Sequence, residues 1–167
     1  IAIREGVYKS FESMEEHFAG EYGKRMQYFI YNSKQLSKID AFAGDAGLHV
    51  MIVNTQAFNS SINEDKNKEG RAGDSAARII FSKRDEFGSR RPIDILAQTN
   101  PIMIIDEPQS VLGVNKDNST RKGISKFNPL FTLLYSATHR KGDIYNMVYR
   151  LDAIDAYNKK LVKKIEV

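Results

Sequence analysis

Four short apolar runs, RMQYFIYN, LHVMIVNT, PIMIID and PLFTLLYSAT, set the terms on which this chain can fold. Each is rich in β-branched or aromatic residues and has the length of a single strand. In LHVMIVNT the residues Val50, Ile52 and Val53 make the run nearly continuous, the pattern of a strand covered on both faces. Helical segments fall between and around these runs. REGVYKSFESMEEHF repeats Val7, Phe11, Met14 and Phe18 at three- and four-residue spacing, which predicts an amphipathic helix closed by Gly20 and Gly23. IDILAQ predicts a short helix opened at Pro92, and DAIDAYNKKLV another near the end. Strands alternating with helices predict an α/β fold with a parallel sheet.

One segment breaks the rhythm. Residues 59–92 are polar, contain glycines and are long for a connection, with eight basic against six acidic residues. They read as a solvated insertion with partial helix around Ser75 to Phe81. Alternatively they form an element that sets Arg71, Arg78, Lys83, Arg84, Arg90 and Arg91 against phosphates.

Composition narrows the chemistry more than the fold. The 167 residues suit one domain with a real core, at 41% apolar and 28% charged. A net charge of +4 permits a polyanionic partner without requiring one. With no cysteine, disulfides and thiolate chemistry are excluded, and His17, His49 and His139 are too scattered to form a metal site. No run approaches a membrane span and no secretory pattern opens the chain, so a cytoplasmic setting is expected. Ile1 in place of methionine, and IAI reading as a strand cut partway, give the expectation of a piece excised from a longer protein.

The third run ends on Asp106, Glu107, Pro108 and Gln109. In open α/β sheets ligands collect at the carboxyl ends of strands, where loops and helix N-termini converge. An aspartate there can hold Mg²⁺ through water, and a neighbouring glutamate can orient the water that attacks a γ-phosphate. Two carboxylates solvating a strand end would look the same in sequence. The fourth run, however, delivers Ser136, Ala137, Thr138 and His139 to its own end. An apolar strand with Asp-Glu followed by an apolar strand with Ser-Ala-Thr is the ordering of helicase motifs II and III.

On these residues the chain resembles the superfamily-two helicase-like motor of type III restriction enzymes, in the subunit called Res. IIDEPQ resembles that family's Walker B box and LLYSATHR its motif III. IAIREGVYKSF resembles the tail of motif Ia and the helix after it, VNTQAFN the strand end between Ia and II, and LVKKIEV the entry to the second motor domain. The resemblance implies a three-layer α/β/α parallel sheet of the RecA-like, P-loop NTPase kind. Residues 1–150 would be a partial first motor domain, with the insertion at about 59–92, and 151–167 the start of the connection to the second. ATP and Mg²⁺ would be the cofactors, with Mg²⁺ at Asp106, water activation at Glu107, and phosphate or inter-motif contact at Gln109. Ser136 and Thr138, with His139 beside them, would couple ATP state to DNA. Arg4, Gln56 and Asn59 would lie on the DNA-facing side. The implied partners are double-stranded DNA and the methyltransferase (Mod) subunit, and the parent would be an ATP-dependent endonuclease whose nuclease domain lies elsewhere.

No Gly-x-x-x-x-Gly-Lys-Ser/Thr box occurs in the sequence. The phosphate-loop strand is expected between the strands that end in Asp106 and Ser136, so its absence predicts two unpaired apolar edges and a rearranged or dependent sheet. Two other readings stay open: a motor fragment of another bacterial superfamily-two DNA helicase, and a non-catalytic α/β interaction module.

Overall fold

The computed structural model describes residues 2–55, 76–112, 119–137 and 146–163. Helix α1 (Ala2–Tyr22) already includes Ala2 and Ile3, so these two residues are helical rather than part of the expected strand. The helix runs through Gly20 and stops at Gly23, which takes φ +64° and donates its N–H to the Ala19 carbonyl at 3.0 Å. Only a residue without a Cβ enters that left-handed cap at little cost, which explains why Gly23 rather than Gly20 ends the helix. The half-buried stripe of α1 is Arg4, Tyr8, Phe11, Glu15 and Phe18, leaving the expected Val7 and Met14 exposed. The cause is aromatic packing: Tyr8 and Phe11 sit 5.1 and 5.7 Å from the Tyr28 ring, and meeting it rotates the helix away from Val7.

Strands β1 (Met26–Ile30) and β2 (Leu48–Ile52) pair in parallel from Met26↔Leu48 to Ile30↔Ile52, joined through α2 (Ser37–Gly44). Tyr28 meets α1 while its neighbour Phe29 meets Phe42 of α2, so the two helices lie on opposite faces of this pair. Beyond β2 come α3 (Ala76–Phe81), a 3₁₀ turn at Asp85–Phe87 and α4 (Pro92–Gln98), begun by proline at its first turn. Ile39, Ile80, Phe81, Phe87, Ile93 and Leu96 form the centre of the core. The second half of the segment read as a solvated insertion, whose expected partial helix is α3, therefore adds Ile80, Phe81 and Phe87 to the core while Lys83, Asp85 and Gly88 to Arg90 stay exposed. Arg90 donates Nε–H to the Phe87 carbonyl at 3.0 Å, and Arg91 holds both Asp94 oxygens at 2.8 Å, so both cations serve local structure. Arg71 lies outside the described residues.

Strand β3 (Ile102–Asp106) is followed by α5 (Pro108–Val111) and α6 (Ser119–Ser125), then β4 (Phe131–Tyr135) and, further on, α7 (Ala153–Asn158). β3 and β4 pair directly and in parallel, from Ile102↔Phe131 to Asp106↔Tyr135. Backbone bonds continue the ladder at both ends: Leu130 N–H to the Pro101 carbonyl at 3.1 Å, and Glu107 N–H to the Tyr135 carbonyl at 2.9 Å. This corrects the expected strand order. No strand can lie between the one ending in Asp106 and the one ending in Ser136, since their facing backbone groups bond each other.

Among the described residues the strands thus form two parallel pairs rather than one sheet. Met103 and Ile105 turn toward the helices, Ile105 being buried and Met103 packed on the core. The opposite face of β3–β4, formed by Ile102, Ile104, Phe131, Leu133 and Tyr135, is exposed, with Ile104 66% accessible. Parallel strands are ordinarily covered on both faces. No described helix is long and apolar enough to cross a membrane.

Candidate functional site

The site is built where β3 ends. Asp106 is the last strand residue, in register with Tyr135 and exposed, so its carboxylate is open to a ligand. Glu107 then leaves the extended backbone for φ 47°, ψ 57°. A non-glycine residue in this left-handed region costs roughly 1–2 kcal/mol, and such strain concentrates where side chains must be aimed. Three features hold it. Its N–H remains tied to the Tyr135 carbonyl, its own carbonyl accepts from Ser110 N–H at 2.9 Å, and buried Pro108 starts the short α5 immediately behind it. The turn breaks the alternation of the strand, which is how two consecutive carboxylates acquire separate surroundings.

Gln109 joins the two strand ends through its side chain. Its Nε2 donates to Glu107 Oε2, and its Oε1 accepts from Ser136 Oγ at 2.7 Å. Ser136 is half-buried and follows the last residue of β4. The direct pairing of β3 with β4 is what makes this bridge possible across 27 residues of sequence.

Asp106, Glu107, Gln109 and Ser136 are therefore gathered at one sheet end. Arg4 lies elsewhere, on the half-buried stripe of α1, and its Nε has no hydrogen-bond partner among the described residues. Among the described residues no ion pair joins it to Glu5 or Glu12. Gln56, Asn59, Thr138 and His139 lie outside the described residues.

A hard divalent cation suits this oxygen donor set. Mg²⁺ is commonly held by one or two carboxylates with waters and substrate phosphates completing the shell, and Asp106 offers such an exposed carboxylate. The described residues contain no cluster of three or more His, Asp or Glu side chains able to cage an ion by themselves.

Comparison with known proteins agrees with the motif reading. The chain is 29% identical over 182 aligned residues to the Res subunit of the type III restriction-modification enzyme EcoP15I of Escherichia coli. It is equally 29% identical to the EcoPI Res subunit of Escherichia phage P1, and 99% of the chain is covered in both cases. This chain resembles type III Res subunits along nearly its whole length. The resemblance read from IIDEPQ and LLYSATHR is borne out, although the chain spans only 17% of the length of each relative. No family model matches it.

Two parts of the site escape sequence reasoning. Tyr135 contributes through its backbone carbonyl, which any residue would supply, so its side chain carries no signal. The left-handed turn at Glu107 is equally silent, because sequence reserves that conformation for glycine, asparagine or aspartate.

Proposed function

We propose that this chain is part of the ATP-driven, helicase-like motor of a type III restriction endonuclease, acting on double-stranded DNA beside a methyltransferase subunit. The observation that carries the reading is the bridge from Ser136 through Gln109 to Glu107, which joins the ends of two adjacent parallel strands beside an exposed Asp106. Residues 1–150 act as a partial first motor domain of RecA-like, layered α/β/α form, and 151–167 lead toward a second. The exposed face of β3–β4 is then a place where a further layer of the same domain packs.

In this mechanism Asp106 would hold Mg²⁺, which when bound would supply positive charge toward the phosphates of ATP. Glu107 accepts a hydrogen bond from the attacking water and aligns it with the γ-phosphate. Its left-handed backbone fixes where the carboxylate starts, and Gln109 limits where it can swing. Ser136, with Thr138 and His139, couples that state to contacts with DNA, on whose side Arg4, Gln56 and Asn59 lie. Cleavage belongs to another part of the parent.

The exposed apolar face of β3–β4 favours one second reading, a non-catalytic α/β interaction module. The two part company in ATP hydrolysis by the full-length parent at varied Mg²⁺, with and without duplex DNA. The motor reading expects DNA-stimulated turnover that an Asp106→Asn variant loses along with its Mg²⁺ dependence. Absence of any DNA-stimulated turnover in the wild type favours the module.

A further inference from the structure

We infer that Asn100 is a positioning residue: its side-chain amide, bonded to the Asn128 carbonyl, selects the register in which β4 carries Ser136 to the end of β3. The register itself does not depend on the motor reading proposed above; only its effect on turnover does.

Burial does not select this register. A one-residue slip moves every side chain of a strand to the other face, which the core forbids when one face is buried and the other is not. β4 has no such asymmetry. All five of its residues are exposed, and Leu133 and Leu134, on opposite faces, are 36% and 41% accessible. Buried Phe127 anchors the chain ahead of the strand, yet three residues separate it from Phe131, enough to absorb a slip.

The two strands are entered by like turns. Asn100-Pro101 precedes β3 and Asn128-Pro129 precedes β4, and both asparagines are left-handed, at φ 45° and 49°. Asparagine enters that region more readily than most residues. Asn100 stands two residues before Ile102, while Asn128 stands three before Phe131, the residue paired with Ile102. Matching the turns in step would therefore set Ile102 opposite Leu130 and Asp106 opposite Leu134, and would turn Ser136 to the opposite face. In the observed register the Asn100 amide donates Nδ2–H to the Asn128 carbonyl at 3.2 Å. The prolines at 101 and 129 have no N–H to extend the ladder here, so the side chain supplies a donor that the backbone lacks. A slip shifts the Asn128 carbonyl by about 3.3 Å along the strand, out of hydrogen-bond range. Backbone ladder bonds re-form in either register; this side-chain bond does not.

Cysteine crosslinking in the full-length parent reads the register directly, with the bridged peptides identified by mass spectrometry. Ile104→Cys with Leu133→Cys reports the observed pairing, and Ile104→Cys with Thr132→Cys reports the slipped one. Only the opposed pair shares a face within reach of a short thiol crosslinker. Asn100→Gly, which keeps the turn without conformational cost, should raise the slipped-to-observed ratio roughly fivefold, the worth of one ordinary hydrogen bond. Asn100→Asp, which sets acceptor against acceptor, should raise it further. Thr99→Ala removes a neighbouring bond, to the Leu96 carbonyl at 2.7 Å, that touches neither strand and should leave the ratio unchanged. An unchanged ratio in both Asn100 variants overturns the inference, as does an equal rise in Thr99→Ala.

In ATP hydrolysis, the kcat of each Asn100 variant should fall with its slipped fraction while KM holds, because molecules in the observed register still bind and turn over ATP. If the register shifts and turnover does not, Asn100 keeps its role and Ser136 loses its place in the motor. If Glu107→Gln leaves hydrolysis intact, the motor reading fails, and crosslinking alone decides the role of Asn100.

Discussion

Replacing Tyr31 by phenylalanine should make the chain more stable. Tyr31 follows β1 directly and is 5% exposed, within the core cluster that includes Leu36, Ile39 and Leu96. Its hydroxyl has no hydrogen-bond partner among the described residues. A buried hydroxyl left unsatisfied costs about 1–3 kcal/mol, while the aromatic ring contributes its packing in either residue. Tyr31→Phe keeps the ring and removes the penalty, so unfolding free energy should rise by about 1 kcal/mol or more at neutral pH. In a domain of this size each kcal/mol moves the melting temperature by roughly 2–4 °C. The same burial pushes the Tyr31 hydroxyl up from 10.0 to about 12, with the nearby Arg84 charge pulling the other way. Because the folded form releases this proton later than the unfolded one, the wild type is unaffected below pH 10 and loses stability as pH rises from there through about 12. The variant lacks that part of the slope. Urea unfolding followed by circular dichroism, at neutral pH and in an alkaline series, reads both effects. A variant less stable than wild type at neutral pH would refute the reasoning, since it would mean the hydroxyl holds a stabilising partner.

Three other perturbations probe separate levels of the fold. Gly23→Ala places a Cβ at φ +64° in otherwise open space, so strain alone should cost roughly 1–2 kcal/mol in thermal unfolding. Hydrogen bonds and charge from Arg91 hold the Asp94 carboxyl below its usual range. That pair adds stability above the ordinary carboxylate range and loses it as pH falls through the lowered value, so wild type and Asp94→Asn should converge in acid denaturation. Both partners are partly exposed, which limits the neutral-pH difference to less than about 1 kcal/mol. Ile104→Lys, on the bare face of β3–β4, should change unfolding free energy by no more than about 0.5 kcal/mol while reducing self-association in sedimentation velocity. A large loss of stability in this chain would show that the face is covered.

The strands were legible because burial leaves a compositional mark. All four apolar runs are strands, and Pro92 marks the start of α4. What sequence could not convey was relative placement. A parallel partner is chosen by the whole sheet, and nothing within PIMIID or PLFTLLYSAT announces that they pair with each other rather than with a strand between them. The stripe of α1 was misjudged for a related reason: Val7 and Met14 fit the helical period, yet Tyr28 offered an aromatic surface that only Tyr8 and Phe11 could meet. Ile80, Phe81 and Phe87 were masked by the charges around them, and polarity averaged over a long segment hid three core residues. At the site, the residue types of Asp106, Glu107, Gln109 and Ser136 were readable, while the backbone turn at Glu107 and the part played by the Tyr135 carbonyl arise only in three dimensions.

The most direct measurement is Mg²⁺-dependent ATP hydrolysis by the full-length parent, with and without duplex DNA, beside a Glu107→Gln variant whose ATP binding is measured in parallel. The account predicts DNA stimulation of the wild type, and a variant that binds ATP but turns it over at least about a hundredfold more slowly. A variant that hydrolyses ATP at the wild-type rate would contradict it, reducing Asp106 and Glu107 to carboxylates that solvate the end of a strand.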